Sequence, residues 1–171
     1  MDQLATVAWQ YVVRLIFPED LPMAAAHLLA DGYDSPSLCE LAGLSRRAET
    51  AEIDELFDRA MAELGVRIPD GETAERCLLH HMATRLCAGA VSPRVAAARI
   101  WQGLASQTKA EREFVQAVGE EYYLDYLSPE GLRAWENAVL LTAQTLAQAA
   151  FPVAERPKPP RRLSPNRLTQ P

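Results

Sequence analysis

Cys77, His80 and His81 are the residues whose types and spacing come nearest to a metal site. They stand at i, i+3 and i+4 in the run "RCLLHHM". On a helix that spacing puts all three along one flank. Soft sulfur and imidazole together are zinc donors. Two features weigh against the site. The apolar stripe Leu78, Leu79, Met82 and Leu86 should face the core and leave His80 toward solvent. No second cluster supplies the remaining ligands, so Cys39 or His27 would have to converge on it by folding. The simpler reading is surface histidines and a half-buried thiol.

Carboxylates offer less. Di-iron sites in helical bundles use Glu-x-x-His on facing helices, and here no His follows a Glu by three. The pair in "DELFD" (Asp54 and Asp58) brackets Leu56 and Phe57, which belong to a core face. Glu52, Glu55, Asp58 and Arg59 then form a solvated face with i, i+3 and i+4 pairings.

The stretch "EREFVQAVGEEYYLDYLSPE", residues 111 to 130, gathers three tyrosines and several acids. Tyrosine suits interfaces because it offers area and a polar tip at small entropic cost. Glu120, Glu121, Tyr123 and Asp125 are the residues expected to bind a partner, in a negative local field. The competing reading puts Tyr122 and Tyr126 in the core and leaves Tyr123 as an isolated surface aromatic.

The C-terminal run "PVAERPKPPRRLSPNRLTQP" holds six of the twelve prolines and cannot build a core. It is expected to be a disordered or polyproline-like tail. Pro157, Pro160 and Arg162 fit PxxPxR, a pattern read by polyproline grooves. Arg161 and Arg162 could dock on an acidic partner or on the chain's own acidic helix. No GxSxG, phosphate-cradling glycine loop or HExxH occurs, and three histidines are thin material for acid–base catalysis. The chain reads as non-enzymatic, with no cofactor.

The elements that must position these residues are helices. Ala and Leu dominate, and no segment alternates apolar and polar like a strand. Periodicity predicts helices over about 2–17, 21–31, 36–42, 50–64, 72–88, 93–104, 110–126 and 129–150. The first is apolar on two faces, so it is central or meets a partner, and Pro18 should end it. A membrane-surface role for it is weaker, since its polar face is poor in Lys and Arg. Asp20 and Thr50 are possible N-caps, and Gly32 and Gly65 possible C-caps. Ser-Pro opens three helices, at Ser35-Pro36, Ser92-Pro93 and Ser128-Pro129, with proline at the first helical position, where its missing N–H costs nothing. The helices after them differ, so cap chemistry recurs without an internal repeat.

The 171 residues suffice for one domain with a real core. The fold is expected to be all-α, a compact orthogonal or antiparallel bundle of seven to eight helices. Residues 1–151 would form the domain and 152–171 the tail. Net charge is −6, and the tail contributes five basic residues against one acidic. The body is therefore near −10, a poor surface for nucleic acid. Three cysteines, an odd number without a CxxC pair, suggest reduced thiols in a cytoplasmic protein. The N-terminus lacks the marks of a signal peptide and is too short to span a bilayer.

"LLADGYDSPSLCELAGL" (28–44), "AEIDELFDRAMAELGV" and "CAGAVSPRVAAARIWQGL" (87–104) resemble segments of small all-helical actinobacterial proteins of unassigned function. The resemblance covers roughly residues 20–125 and brings no catalytic residue. It implies an immunity-like or defence-associated role. The expectation that follows is a cytoplasmic protein–protein interaction module: an adaptor, an immunity-like neutraliser or an assembly subunit. Its acidic body would meet a basic partner by electrostatic steering, and a homo-oligomer is possible. The alternative is a bundle that binds a metal or small molecule near Cys77, His80 and His81.

Overall fold

The computed structural model describes residues 2–45, 47–100, 103–119 and 126–152. The chain is all-α, and the described residues contain eight α-helices and no strand. They are α1 (Gln3–Val12), α2 (Leu21–Ala30), α3 (Pro36–Gly43), α4 (Thr50–Glu63), α5 (Gly71–Cys87), α6 (Pro93–Ala97), α7 (Lys109–Val118) and α8 (Pro129–Ala147). A short 3-10 turn, Pro18–Asp20, leads into α2.

Cap chemistry sets most boundaries. Ser35, Ser92 and Ser128 each accept a hydrogen bond from the N–H three residues on, with proline at the first helical position. Gly32, Gly65 and Gly89 close α2, α4 and α5 with positive φ. Each gives paired bonds back into the last turn, as in Tyr33 N–H to Leu28 O at 3.1 Å and Gly32 N–H to Leu29 O at 3.0 Å. Two expected caps do not form. Thr50 is the first helical residue of α4 behind Glu49, and the Asp20 side chain makes no capping bond to α2.

Helix α1 stops at Val12, well before Pro18. Arg14 takes the left-handed conformation (φ 58°) that glycine usually fills. Leu15 N–H then reaches Gln10 O at 2.8 Å and Arg14 N–H reaches Tyr11 O at 3.1 Å. The early stop sends Leu15 and Ile16 to two different apolar clusters. Helix α6 also falls short of 104. Gly103, a poor helix former, lies in the expected span, although Ile100 and Leu104 are still buried. Helix α7 gives way at Gly119, and α8 ends at Ala147 rather than 150.

Those two clusters organise the molecule. One gathers α2, α3 and α4 around Leu21, Leu28, Leu41, Ile53 and Phe57, together with Leu4, Val7 and Ala8 of α1. The other gathers α5 to α8 around Leu79, Phe114, Trp135 and Val139, together with Trp9 of α1. Helix α1 is central: Leu4, Val7 and Ala8 pack into one cluster and Trp9 into the other. Helix α5 packs on α1, α7 and α8, so most of its circumference is covered.

Candidate functional site

Among the described residues, a dense polar constellation lies where α5 meets the start of α7. Thr108, in extended conformation, caps α7 by accepting from Glu111 N–H at 3.2 Å. Glu111 returns the bond, its Oε2 accepting from Thr108 N–H at 2.8 Å, which completes a capping box. The same oxygen accepts from Gln107 N–H at 2.8 Å. From α5, Arg76 Nε donates to Oε1 at 3.0 Å and Oε2 at 3.2 Å, and His80 Nε2 lies 3.2 Å from Oε1. The Glu111 side chain is 0% exposed.

Around this carboxylate the 105–108 loop is tied down. Arg76 Nη1 donates to Gln107 Oε1 at 2.8 Å, and Gln107 Nε2 donates to Glu72 Oε1 at 2.8 Å. Ala105 N–H donates to Glu75 Oε2 at 2.8 Å. The stretch of α5 from Glu72 to His80 thus clamps the entry to α7.

The electrostatics follow from burial and partners. Burial pushes the Glu111 carboxyl up, but the Thr108 and Gln107 N–H groups, the Arg76 charge and the His80 bond outweigh it and hold it below the usual carboxylate range. His80 moves down, first because burial disfavours the imidazolium and then because of the Arg76 charge; the Glu111 contact only partly opposes this. A neutral His80 that donates its Nε2–H to the carboxylate satisfies both directions. His80 also meets the Phe151 ring edge-on at a centroid distance of 5.5 Å. The lone pairs of this carboxylate are filled by donors, and no part of it reaches solvent. Held in this way, it organises the entry to α7.

The structure corrects the sequence reading of α5. His80 is 3% exposed and Cys77 is fully buried, so neither the surface histidine nor the half-buried thiol holds. The apolar stripe identified one covered face, whereas α5 is also covered on the α7 side. His81 packs its ring on Trp9 at 5.3 Å, and burial lowers its pKa as well. His27, Cys39 and Cys87 are exposed and do not converge on the flank. Among the described residues, no group of three or more His, Cys, Asp or Glu side chains is placed to hold a metal ion.

In the sequence Glu111 is one acid among several at the head of the tyrosine-rich stretch. The "TKAE" run before an apolar helix carries a capping-box signal, and that is the mark that could have singled it out. Glu120, Glu121, Tyr122, Tyr123 and Asp125, and Pro157, Pro160, Arg161 and Arg162 of the tail, lie outside the described residues. Tyr126, the other tyrosine of the stretch, is not core: it is 87% exposed, beside exposed Leu127. The acidic face of α4 is solvated as its spacing predicts, with exposed Glu52, Glu55, Asp58 and Arg59 and an Arg59–Glu55 pair at 3.8 Å. Asp54 is different, since it accepts from the Tyr11 hydroxyl of α1.

No described helix is long and apolar enough to cross a membrane. Compared with protein-family models, with curated proteins and with solved structures, the chain matches none of them.

Proposed function

We propose that the chain is a non-enzymatic protein–protein interaction module, an adaptor, immunity-like component or assembly subunit, that receives a basic partner at the α7–α8 connection. The observation that carries this reading is Tyr126. It is a large aromatic side chain at 87% exposure with Leu127 beside it, in a stretch whose sequence also supplies Glu120, Glu121 and Asp125. An exposed aromatic within acidic residues combines a desolvating anchor with a field that steers a cationic surface. The saturated, enclosed Glu111 supports a non-catalytic reading of the other polar centre. Three free thiols suit a reducing, cytoplasmic setting.

A photo-crosslinking residue at Tyr126, used in the native cell, should trap the partner. Association kinetics with that purified partner then test the patch. The triple change Glu120→Lys, Glu121→Lys and Asp125→Lys should slow association about tenfold or more at low salt, with the difference shrinking as salt rises. An unchanged on-rate would rule this patch out.

A further inference from the structure

The outward face of α8 is unlike the rest of this acidic molecule. Residues 137–152 contain no charged side chain, and they belong to the longest charge-free run of the sequence. Ala134, Ala138, Leu141, Thr145 and Gln148 are all exposed and repeat at spacings of four and three. That is the seam spacing of packed helix pairs. Leu141, at the centre, is 65% exposed. Helix α8 already buries Trp135, Val139, Ala143 and Leu146 on its inner side, so this second stripe is surplus to the fold.

We propose that this face binds a second copy of the chain, α8 against α8, antiparallel about a two-fold axis at Leu141. The seam is self-complementary in that arrangement. Leu141 meets Leu141 of the second copy. Ala138 faces Gln144, and Ala134 faces Gln148, so a short side chain always meets a long one. Asn137 faces Thr145, whose hydroxyl already donates to Leu141 O at 3.2 Å and keeps its lone pairs for the Asn137 amide. Isologous contacts oppose a patch to its own copy. Two chains of net charge −6 repel each other, and that repulsion is least where the facing patch is uncharged. Glu130 and Arg133 fall beyond Gln148 of the second copy and meet no like charge. A foreign basic partner would find nothing on this stripe to pair with, which separates it from the α7–α8 connection.

The seam from Ala134 to Gln148 runs about 21 Å at roughly 1.5 Å per residue. A single helix pair of that length is smaller than the roughly 800 Å² per partner of a standard interface. An interface of that size belongs with weak, transient contacts, and a dissociation constant on the order of 10–100 µM is the range to test. Sedimentation of the full chain across about 5–500 µM, under reducing conditions, should show reversible dimerisation. Added salt should not dissolve it, because no ion pair contributes, and by screening the like net charges should strengthen it modestly. Leu141→Glu should weaken it about 100-fold or more by setting two carboxylates against each other. The melting temperature at low concentration should not change, since Leu141 is solvent-facing in the monomer. Leu141→Cys on a Cys39→Ser, Cys87→Ser background should oxidise to a disulfide-linked dimer. A full chain that stays monomeric at about 500 µM overturns the proposal, whether its own C-terminal residues or another protein covers the face. So does a dimer that survives Leu141→Glu or dissolves with modest salt.

Discussion

Replacing Glu111 by Gln tests the central polar clamp with almost no change of volume. The carboxylate accepts from Arg76, from the N–H groups of Gln107 and Thr108 and from His80, all within 3.2 Å. An amide keeps one acceptor oxygen and turns the other position into a donor. At least one N–H or guanidinium donor must then face the new NH2 group. A buried donor left unmade costs about 1–3 kcal/mol. Breaking a buried ion pair costs about 3–5 kcal/mol, and the Arg76 side chain, 16% exposed, retains some hydration that lowers this. The total expected for Glu111→Gln is about 3 kcal/mol, and for a chain of this size that lowers Tm by roughly 6–12 °C. Urea denaturation at about pH 7 measures it, and an Arg76→Ala, Glu111→Gln double-mutant cycle should return a coupling of at least about 1 kcal/mol. The wild-type advantage must also fade on acidification, because the protonated carboxyl resembles the amide. A Glu111→Gln variant within about 0.5 kcal/mol of wild type, the usual range for surface changes, would refute the clamp.

The titrating groups predict an asymmetric pH profile. His80 and His81 are both held below 6.5 by burial, so the unfolded chain binds protons first and denaturation midpoints should fall as pH drops through 6.5; His80→Gln should flatten part of that step. Glu111, Glu63 and Asp70 are held below their ordinary values, so the stability they contribute is present above about pH 4.5 and lost as pH falls through their folded values. Tyr11 is raised from 10.0 to about 12, by burial and then by its bond to Asp54, so its contribution is intact below about pH 10 and lost as pH rises toward about 12. At Arg14, glycine and alanine variants both remove the guanidinium that sits 5.2 Å from the Tyr11 ring, so their difference isolates the backbone. Arg14→Gly should be more stable than Arg14→Ala by about 1 kcal/mol, the reverse of the order inside a helix, and an alanine variant of equal or higher Tm would contradict the left-handed assignment.

What can be read in the sequence is what neighbouring residues decide. The Ser-Pro starts, the glycine stops at Gly32 and Gly65 and the buried face of α4 depend on partners within a turn or two, so spacing alone places them. His80 shows where that ends. Its burial depends on Glu111, 31 residues away, and a one-stripe reading of α5 cannot foresee a second covering helix. The stop at Arg14 is hidden for a related reason. No local residue demands it, and the demand comes from Leu15 and Ile16, which must reach different clusters. Tyr126 follows the helical period of α7 in the sequence, but α7 ends at Val118 and Tyr126, beyond it, is exposed.

Helix α1 raises the question of whether the two apolar clusters unfold together. Leu4, Val7 and Ala8 lie in one and the adjacent Trp9 in the other. Tyr11 adds an edge-on contact with Phe57 of α4, with ring centroids 4.9 Å apart, while Trp9 packs against His81 of α5. Trp9 is completely buried, and its indole N–H has no hydrogen-bond partner among the described residues. An unpaired buried donor costs about 1–3 kcal/mol, so apolar contact around that ring must more than offset it, consistent with an indole wedged between α1 and α5. With α1 shared, neither cluster can open without stripping a face from the other's central helix. Leu41 belongs to the first cluster, and Val139 and Ala143 of α8 belong to the second. Leu41→Ala should then cost about 2–5 kcal/mol and lower amide-exchange protection by a similar amount at Val139 and Ala143. Protection lost only in α2, α3 and α4 would mean that the clusters open separately and that α1 is a linker rather than a shared wall.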